Sequence, residues 1–251
     1  MDNTKRFSNR VENYVKFRPS YPSEVINFLY TNVGINKDST IADIGSGTGI
    51  FTKLILTQKN KVYAVEPNKK MREAAENLLS KYENFISVNG SAESTTLTSS
   101  SVDFVVSAQA FHWFDELKAK KEFSRILHPN GKVILVWNRR IKEGNPLFID
   151  YEQLLIHYGK DYKKISVENT RNTKLEELFQ NTYDTRMFPN NQYLNFDQLK
   201  GRLLSLSCAP LPGDDDYEPM IKELEDIFDK YNDNGFVSFQ YQTIINWGNI
   251  R

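Results

Sequence analysis

The chain has one cysteine, Cys208, in 251 residues. That excludes an internal disulfide and any cysteine-built zinc cluster. It has three histidines, so a histidine-based site can draw on few side chains. Charge of either sign is not in excess: 32 basic residues face 32 acidic ones. No global field therefore draws the molecule to nucleic acid or to an anionic membrane surface. No apolar run approaches the length of a membrane span. The opening MDNTKRFSNR has no hydrophobic segment after its charges, so no secretory signal is expected. Repeats and low-complexity tracts are absent as well. These absences leave a soluble, cytoplasmic protein as the expectation, read as one domain over 1–251 with core enough to fold alone.

What is present is organised around Thr40–Ile50, TIADIGSGTGI. An apolar run ends at Gly45, Gly47 and Gly49, and an amphipathic pattern (Phe51, Leu54, Ile55) follows at once. This is a buried strand, a glycine turn and a helix start. The turn gives free backbone N–H groups and lets a ligand approach closely. A dinucleotide fingerprint, G-x-G-x-x-G, would place its third glycine at position 50, where the chain has Ile50. The pattern here is instead D-x-G-x-G-x-G, with Asp43 beside the turn. An anion there is a poor neighbour for pyrophosphate and suits a ligand carrying an ammonium group. A second strand ends in Glu66, about 20 residues beyond the first glycine, the place of a ribose-binding acid in such folds.

From residue 40 to 138 strand and helix alternate. Strands are expected at 40–44, 61–66, 85–89, 102–107 and 131–138, and helices at 48–58, 68–81 and 115–127. Helical crossovers of this length imply parallel pairing. His128-Pro129-Asn130-Gly131 reads as a turn before the fifth strand. Before the first strand, a helix over 9–17 stops at Arg18-Pro19, and a second runs from Pro22 to about Val33. Beyond Asn138, helices are expected at 145–158, 174–180, 196–206 and 217–231, with strands at 184–188 and 236–247 and a polar stretch over 161–172.

Asp43, the three glycines and Glu66 together resemble the class I S-adenosylmethionine (SAM)-dependent methyltransferases, in particular the type 11 group. The resemblance implies a Rossmann-like α/β fold: a doubly wound, seven-stranded, mostly parallel sheet with a C-terminal antiparallel strand and a helical cap. It puts the core at about 36–138 with 183–191 and 236–248. The cap takes about 1–33, 139–182 and 192–235. The implied cofactor is SAM, with S-adenosyl-L-homocysteine as product. The turn residues Gly45, Ser46, Gly47, Thr48 and Gly49 would hold it with Asp43, Glu66 and Pro67, and Met71 would pack on the adenine. NGSAES resembles the segment that meets the adenine, with Ser91, Ala92 and Glu93 in contact. YVKFRPSYP resembles a segment that folds over the cofactor, giving Tyr14, Arg18 and Tyr21 as the polar groups able to line a lid. SAQAFHWFD resembles the AxAFHWF segment: Ala108 allows close approach of the cofactor, and Gln109, His112 and Trp113 face the acceptor. His112 is the best base in the chain, or else a hydrogen-bonded wall residue.

The expected reaction is methyl transfer to a small molecule, by in-line displacement, with positioning as the main catalytic effect. A carboxyl O-methyltransferase of the trans-aconitate kind is the alternative, with Arg139 and Arg140 at a strand end able to hold a carboxylate. A non-catalytic SAM-binding protein is the second. No metal, nucleic acid or membrane partner is expected, and the chain is expected to be a monomer or weak dimer. Glu66→Ala is expected to weaken SAM binding with little loss of fold stability.

Overall fold

In the computed structural model, residues 10–141, 144–162 and 173–250 are described. The remainder, with most of the polar 161–172 stretch and the first residue of the expected N-terminal helix, lies outside them. Strands β1 (Thr40–Ile44), β2 (Lys61–Val65), β3 (Phe85–Val88), β4 (Val102–Ala108) and β5 (Leu127–Arg140) alternate with α3 (Ile50–Leu56), α4 (Lys69–Leu79) and α5 (Glu116–Ile126). They pair in parallel; β6 (Asp184–Leu194) and β7 (Val237–Gly248) complete one sheet in the order β3-β2-β1-β4-β5-β7-β6. β7 is antiparallel to both neighbours, so six strands share one direction and the C-terminal strand opposes them.

The near-continuous apolar runs follow from helices on both faces, since successive strand residues point to opposite sides. Ile41, Val62, Phe104 and Val106 pack against α3 and against α2 (Ser23–Phe28, continued by a π turn over Leu29–Val33). Their neighbours Ala42, Val105, Val133 and Leu135 pack against α5 and α7 (Thr173–Phe179). A separate apolar cluster joins α6 (Pro146–Tyr158), α8 (Phe196–Leu204) and α9 (Tyr217–Tyr231) to the start of β7, forming the cap.

Two strands differ from expectation. β5 begins at Leu127, so His128–Gly131 does not precede the strand but lies within it. Leu127 pairs with Val102 and Lys132 with Phe104, so β5 takes five residue steps where β4 takes two. The turn residues bulge out and pairing resumes. β6 runs on past Phe188 to Leu194, paired with β7 throughout. Pro189 is tolerated because β6 is the sheet edge, where a missing N–H breaks nothing.

α1 (Val11–Phe17) crosses the cap on α8. A Cβ at Gly201 would lie 2.2 Å from ring carbons of Phe17, so glycine is what lets the two helices approach. Arg10 anchors α1 by donating to the carbonyls of Leu204 (3.0 Å) and Ala209 (2.5 Å). The end of α1 is thereby set above the carboxyl ends of β1, β4 and β5.

Candidate active site

Gly45, Gly47 and Gly49 take φ of +70°, +57° and +83°, a left-handed path that side chains with a Cβ adopt at a cost. The turn is pinned from below. The N–H groups of Gly45 and Ser46 donate to the Val65 carbonyl at 2.9 and 3.2 Å. Glu66 fixes it from the side: one carboxylate oxygen accepts the Gly47 N–H at 2.9 Å, the other the Asn68 N–H at 2.8 Å. Burial pushes the Glu66 carboxyl above its ordinary value, against those two bonds. Where the sequence alone leads to an expectation of little stability loss in Glu66→Ala, these two bonds lead to the expectation of a larger one, because truncation strands two backbone donors.

Asp43 is 1% exposed. Its Oδ2 accepts from the Thr52 hydroxyl at 2.6 Å, and its Oδ1 is buried with no partner. Burial raises its pKa to about 7, with the Glu66 charge a lesser contribution in the same direction. Ser46 Oγ and Thr48 Oγ1 are likewise buried and unpartnered. Three orphaned polar atoms around one turn are the signature of a polar ligand's place. Asp43 Oδ1 is a buried acceptor for which the described residues supply no donor. That donor set fits the amino-acid end of SAM. Glu66 still has lone pairs free to accept hydroxyl groups, as carboxylate oxygens take more than one donor each.

After β4 the chain turns sharply. Gln109 holds φ +60°, unusual for a residue with a Cβ. Its N–H donates to the Val136 carbonyl at 2.9 Å and its side-chain amide to the Asn138 carbonyl at 3.3 Å. The short helix Phe111–Trp113 follows, with Phe111 buried in the core. His112 and Trp113, their rings 4.6 Å apart, line the cavity.

That cavity measures about 500 Å³ and opens from the glycine turn. The structure brings Tyr14, Arg18, Asp43, Gly45, Ser46, Gly47, Thr48, Ala108, Gln109, His112, Trp113, Arg139 and Arg140 into its wall. Gly49 caps α3 behind the turn. Glu66, Pro67, Met71, Ser91, Ala92 and Glu93 stand outside this wall. Met71 still adjoins the turn, its Cε 3.4 Å from where a Gly47 Cβ would be. Ala92 is buried in the α5-side core, and Glu93 accepts the Asp115 N–H at 2.9 Å, where α5 begins. The sequence reading, which set Asn138 to Arg140 at the end of the fifth strand, missed Trp137, Tyr162, Arg202 and Tyr241, all in the wall. Arg202, inside an amphipathic helix, carries no local signal. Among the described residues no group of three metal-ligating side chains occurs.

Residues 42–135 match the protein family described as "Methyltransferase domain". A methyltransferase-like protein of Schizosaccharomyces pombe is 31% identical over 228 residues, covering 89% of this chain and 86% of that protein. A probable S-adenosylmethionine-dependent methyltransferase of Saccharomyces cerevisiae is 28% identical over 175 residues, 67% of this chain and 57% of that protein. Among solved structures, a candidate type II methyltransferase from Anaeromyxobacter dehalogenans superposes with a TM-score of 0.67 at 20% identity, covering 93% of this chain and 98% of that one. That likeness bears on the fold.

Proposed function

Because the chain belongs to the methyltransferase-domain family and is a SAM-dependent methyltransferase, we propose that it methylates a small-molecule acceptor in the cavity beyond the glycine turn. The observation that carries this reading is the cavity itself. At about 500 Å³ it has the size of a small-molecule site. It continues past the turn to Gln109, His112 and Trp113, where a purely cofactor-binding protein would need no room. No helix among the described residues is long and apolar enough to cross a membrane. A cytoplasmic monomer or weak dimer without nucleic-acid or membrane partners is part of the same proposal.

When bound, SAM supplies a methyl group on a sulfonium, whose electron pair returns to sulfur as the acceptor's lone pair takes the methyl. The residues have the following roles. Glu66, immobilised by two N–H groups, accepts the ribose hydroxyls, and the neighbouring Pro67 and Met71 with Ser91, Ala92 and Glu93 border the adenine. Asp43 accepts the ammonium group, with Ser46 and Thr48 hydroxyls beside it. Ala108, with no side chain beyond Cβ, lets the methionine part of the cofactor approach closely. Tyr14 within α1 and Arg18 at its end close the cavity from above. Gln109, held in a strained backbone by β5, sets the acceptor's position together with Trp113. Where the acceptor is protonated, an imidazole nitrogen of His112 takes its proton. Orientation alone is worth about 7–11 kcal/mol in well-placed reactions, so no further catalytic group is required.

The carboxyl O-methyltransferase reading has one specific observation in its favour: guanidinium groups at the cavity's far end. Incubating the protein with methyl-labelled SAM and a panel of small acids, phenols and amines tests both. Label transferred to a panel member supports the proposal. SAM bound but never turned over by any acceptor, with the cavity closed in a SAM-bound crystal structure, would return the non-catalytic alternative.

A further inference from the structure

The far end of the cavity is out of electrical balance. Arg18 reaches it from the end of α1, Arg140 from the last residue of β5 and Arg202 from α8. Arg140 is compensated. It lies 3.6 Å from the Glu152 carboxylate and donates to the Tyr162 hydroxyl at 2.8 Å, which donates to Glu152 at 2.7 Å.

Arg202 and Arg18 are not compensated. Arg202 is 5% exposed, and its acceptors are the Tyr241 hydroxyl and Ser205 Oγ, both at 3.3 Å. Arg18 donates to the Ser205 carbonyl at 2.8 Å and stacks 4.6 Å over the Tyr14 ring. Its Nε is buried with no acceptor. Among the described residues, neither guanidinium has a carboxylate within ion-pair distance. Both converge on Ser205, two like charges on one residue. Burial, and then the Arg202 charge, pull the Arg18 pKa down to about 10.

Arginines that merely brace a fold spend their donors on carbonyls, as Arg10 does at Leu204 and Ala209. Arg18 spends one donor on a carbonyl and Arg202 two on side-chain hydroxyls, and both line the cavity with most of their five N–H donors each uncommitted. Burying cations without a counter-charge is expensive, and removing the expense takes an anion. Guanidinium forks match the planar carboxylate and the phosphate group.

We propose that Arg18 and Arg202 form an oxyanion-binding subsite and that the methyl acceptor is a small organic acid whose carboxylate or phosphate docks between them. This deepens the small-molecule methyltransferase reading and rests on it for the word acceptor. It also explains the polarity of the cavity. Asp43 at the turn takes an ammonium group, while the cationic end takes the acceptor's negative charge and orients the rest of it toward the turn.

The test titrates citrate and inorganic phosphate, with glycerol as a neutral control, into the protein with and without SAM. Calorimetry and the fluorescence of Trp113 and Trp137, both in the cavity wall, report binding. Saturable binding of either anion with SAM already bound, and none of glycerol, is expected; anion binding that SAM abolishes assigns the arginines to SAM's own carboxylate and overturns the acceptor subsite. Citrate binding more tightly assigns a carboxylic acid; the reverse order assigns a phosphorylated acceptor. Arg202→Gln and Arg18→Gln should each weaken anion binding by about tenfold or more, a loss of at least one charge-assisted bond. Arg202→Lys, which keeps the charge, should recover part of it, whereas a bracing role would be restored by neither. Thermal melts check that each variant folds, and Arg18, on a helix end, serves if Arg202 variants do not. No saturable anion binding to the wild type in the millimolar range, or Gln variants that bind as the wild type does, overturns the subsite. Anion binding without SAM binding would instead overturn the methyltransferase reading and leave the subsite standing.

Discussion

Replacing Glu66 separates what the residue does for the fold from what it does for the ligand. In the ligand-free protein, Glu66→Ala strands the Gly47 and Asn68 N–H groups, which the carboxylate accepts at 2.9 and 2.8 Å. A buried donor left unmade costs about 1–3 kcal/mol. The gross loss is thus about 2–6 kcal/mol, reduced because a carboxylate that is costly to bury has also gone. A net loss of about 2–4 kcal/mol lowers the melting temperature by about 4–16 °C in a chain of this size. Glu66→Gln keeps one acceptor oxygen and should fall between wild type and alanine. SAM affinity, measured by calorimetry well below the melt, should drop by at least about tenfold, since a bond to a charged acceptor is worth about 1.5–3 kcal/mol. An alanine variant that melts within about 1 °C of wild type refutes the fixing of the turn. Unchanged SAM affinity in a folded variant refutes the ribose assignment.

Asp43 should make the molecule respond to pH. Its pKa is raised to about 7 by burial, so its contribution to ligand-free stability is full below its unfolded value near 3.8 and is lost as pH rises through about 7. SAM affinity should run the other way, falling as pH drops below about 7 because the ammonium partner needs the anion. Asp43→Asn should flatten that profile apart from the share due to Glu66, and an unaltered slope by calorimetry would contradict the assignment. Gly201→Leu should push α1 off α8, since even a Cβ meets Phe17 at 2.2 Å. Faster hydrogen exchange over Val11–Phe17 and weaker anion binding are expected, and neither change would mean that α1 does not hold Arg18 in place. Gly47→Val should abolish SAM binding, because φ of +57° suits no β-branched residue and the side chain would fill the ligand's space. His112→Ala should slow turnover with the true acceptor while SAM affinity stays within about threefold, below ~1 kcal/mol; lost SAM binding would place the loop wrongly.

The core sheet was legible because its signals are local. Asp43, the glycine turn and Glu66 each end or follow a strand whose apolar run announces it, and the topology gathers those ends. β5 was harder. Pro129 and Gly131 do signal a break, but pairing on either side of it absorbs the break as a bulge. β6 was expected to stop at Phe188, before Pro189, and its place at the sheet edge is what makes a proline compatible with the longer strand. The cap was the least legible part. Arg202 sits in a helix among Leu199, Leu203 and Leu204, and an arginine there reads as the solvated face. Its bond to the Tyr241 hydroxyl spans 39 residues, and the Arg18 bond that brings a second cation to Ser205 spans 187. No window of sequence contains that arrangement. Arg140 was noticed at its strand end, while its compensation by Glu152 through Tyr162 depends on how α6 packs.

The central claim is tested most directly by giving the protein methyl-labelled SAM together with small organic acids and their neutral amides or alcohols. The account predicts label in an acid, one S-adenosyl-L-homocysteine formed per methyl transferred, and the transfer suppressed in Arg202→Gln and Asp43→Asn. Label transferred as readily to the neutral analogues, with Arg202→Gln as active as the wild type, would contradict it.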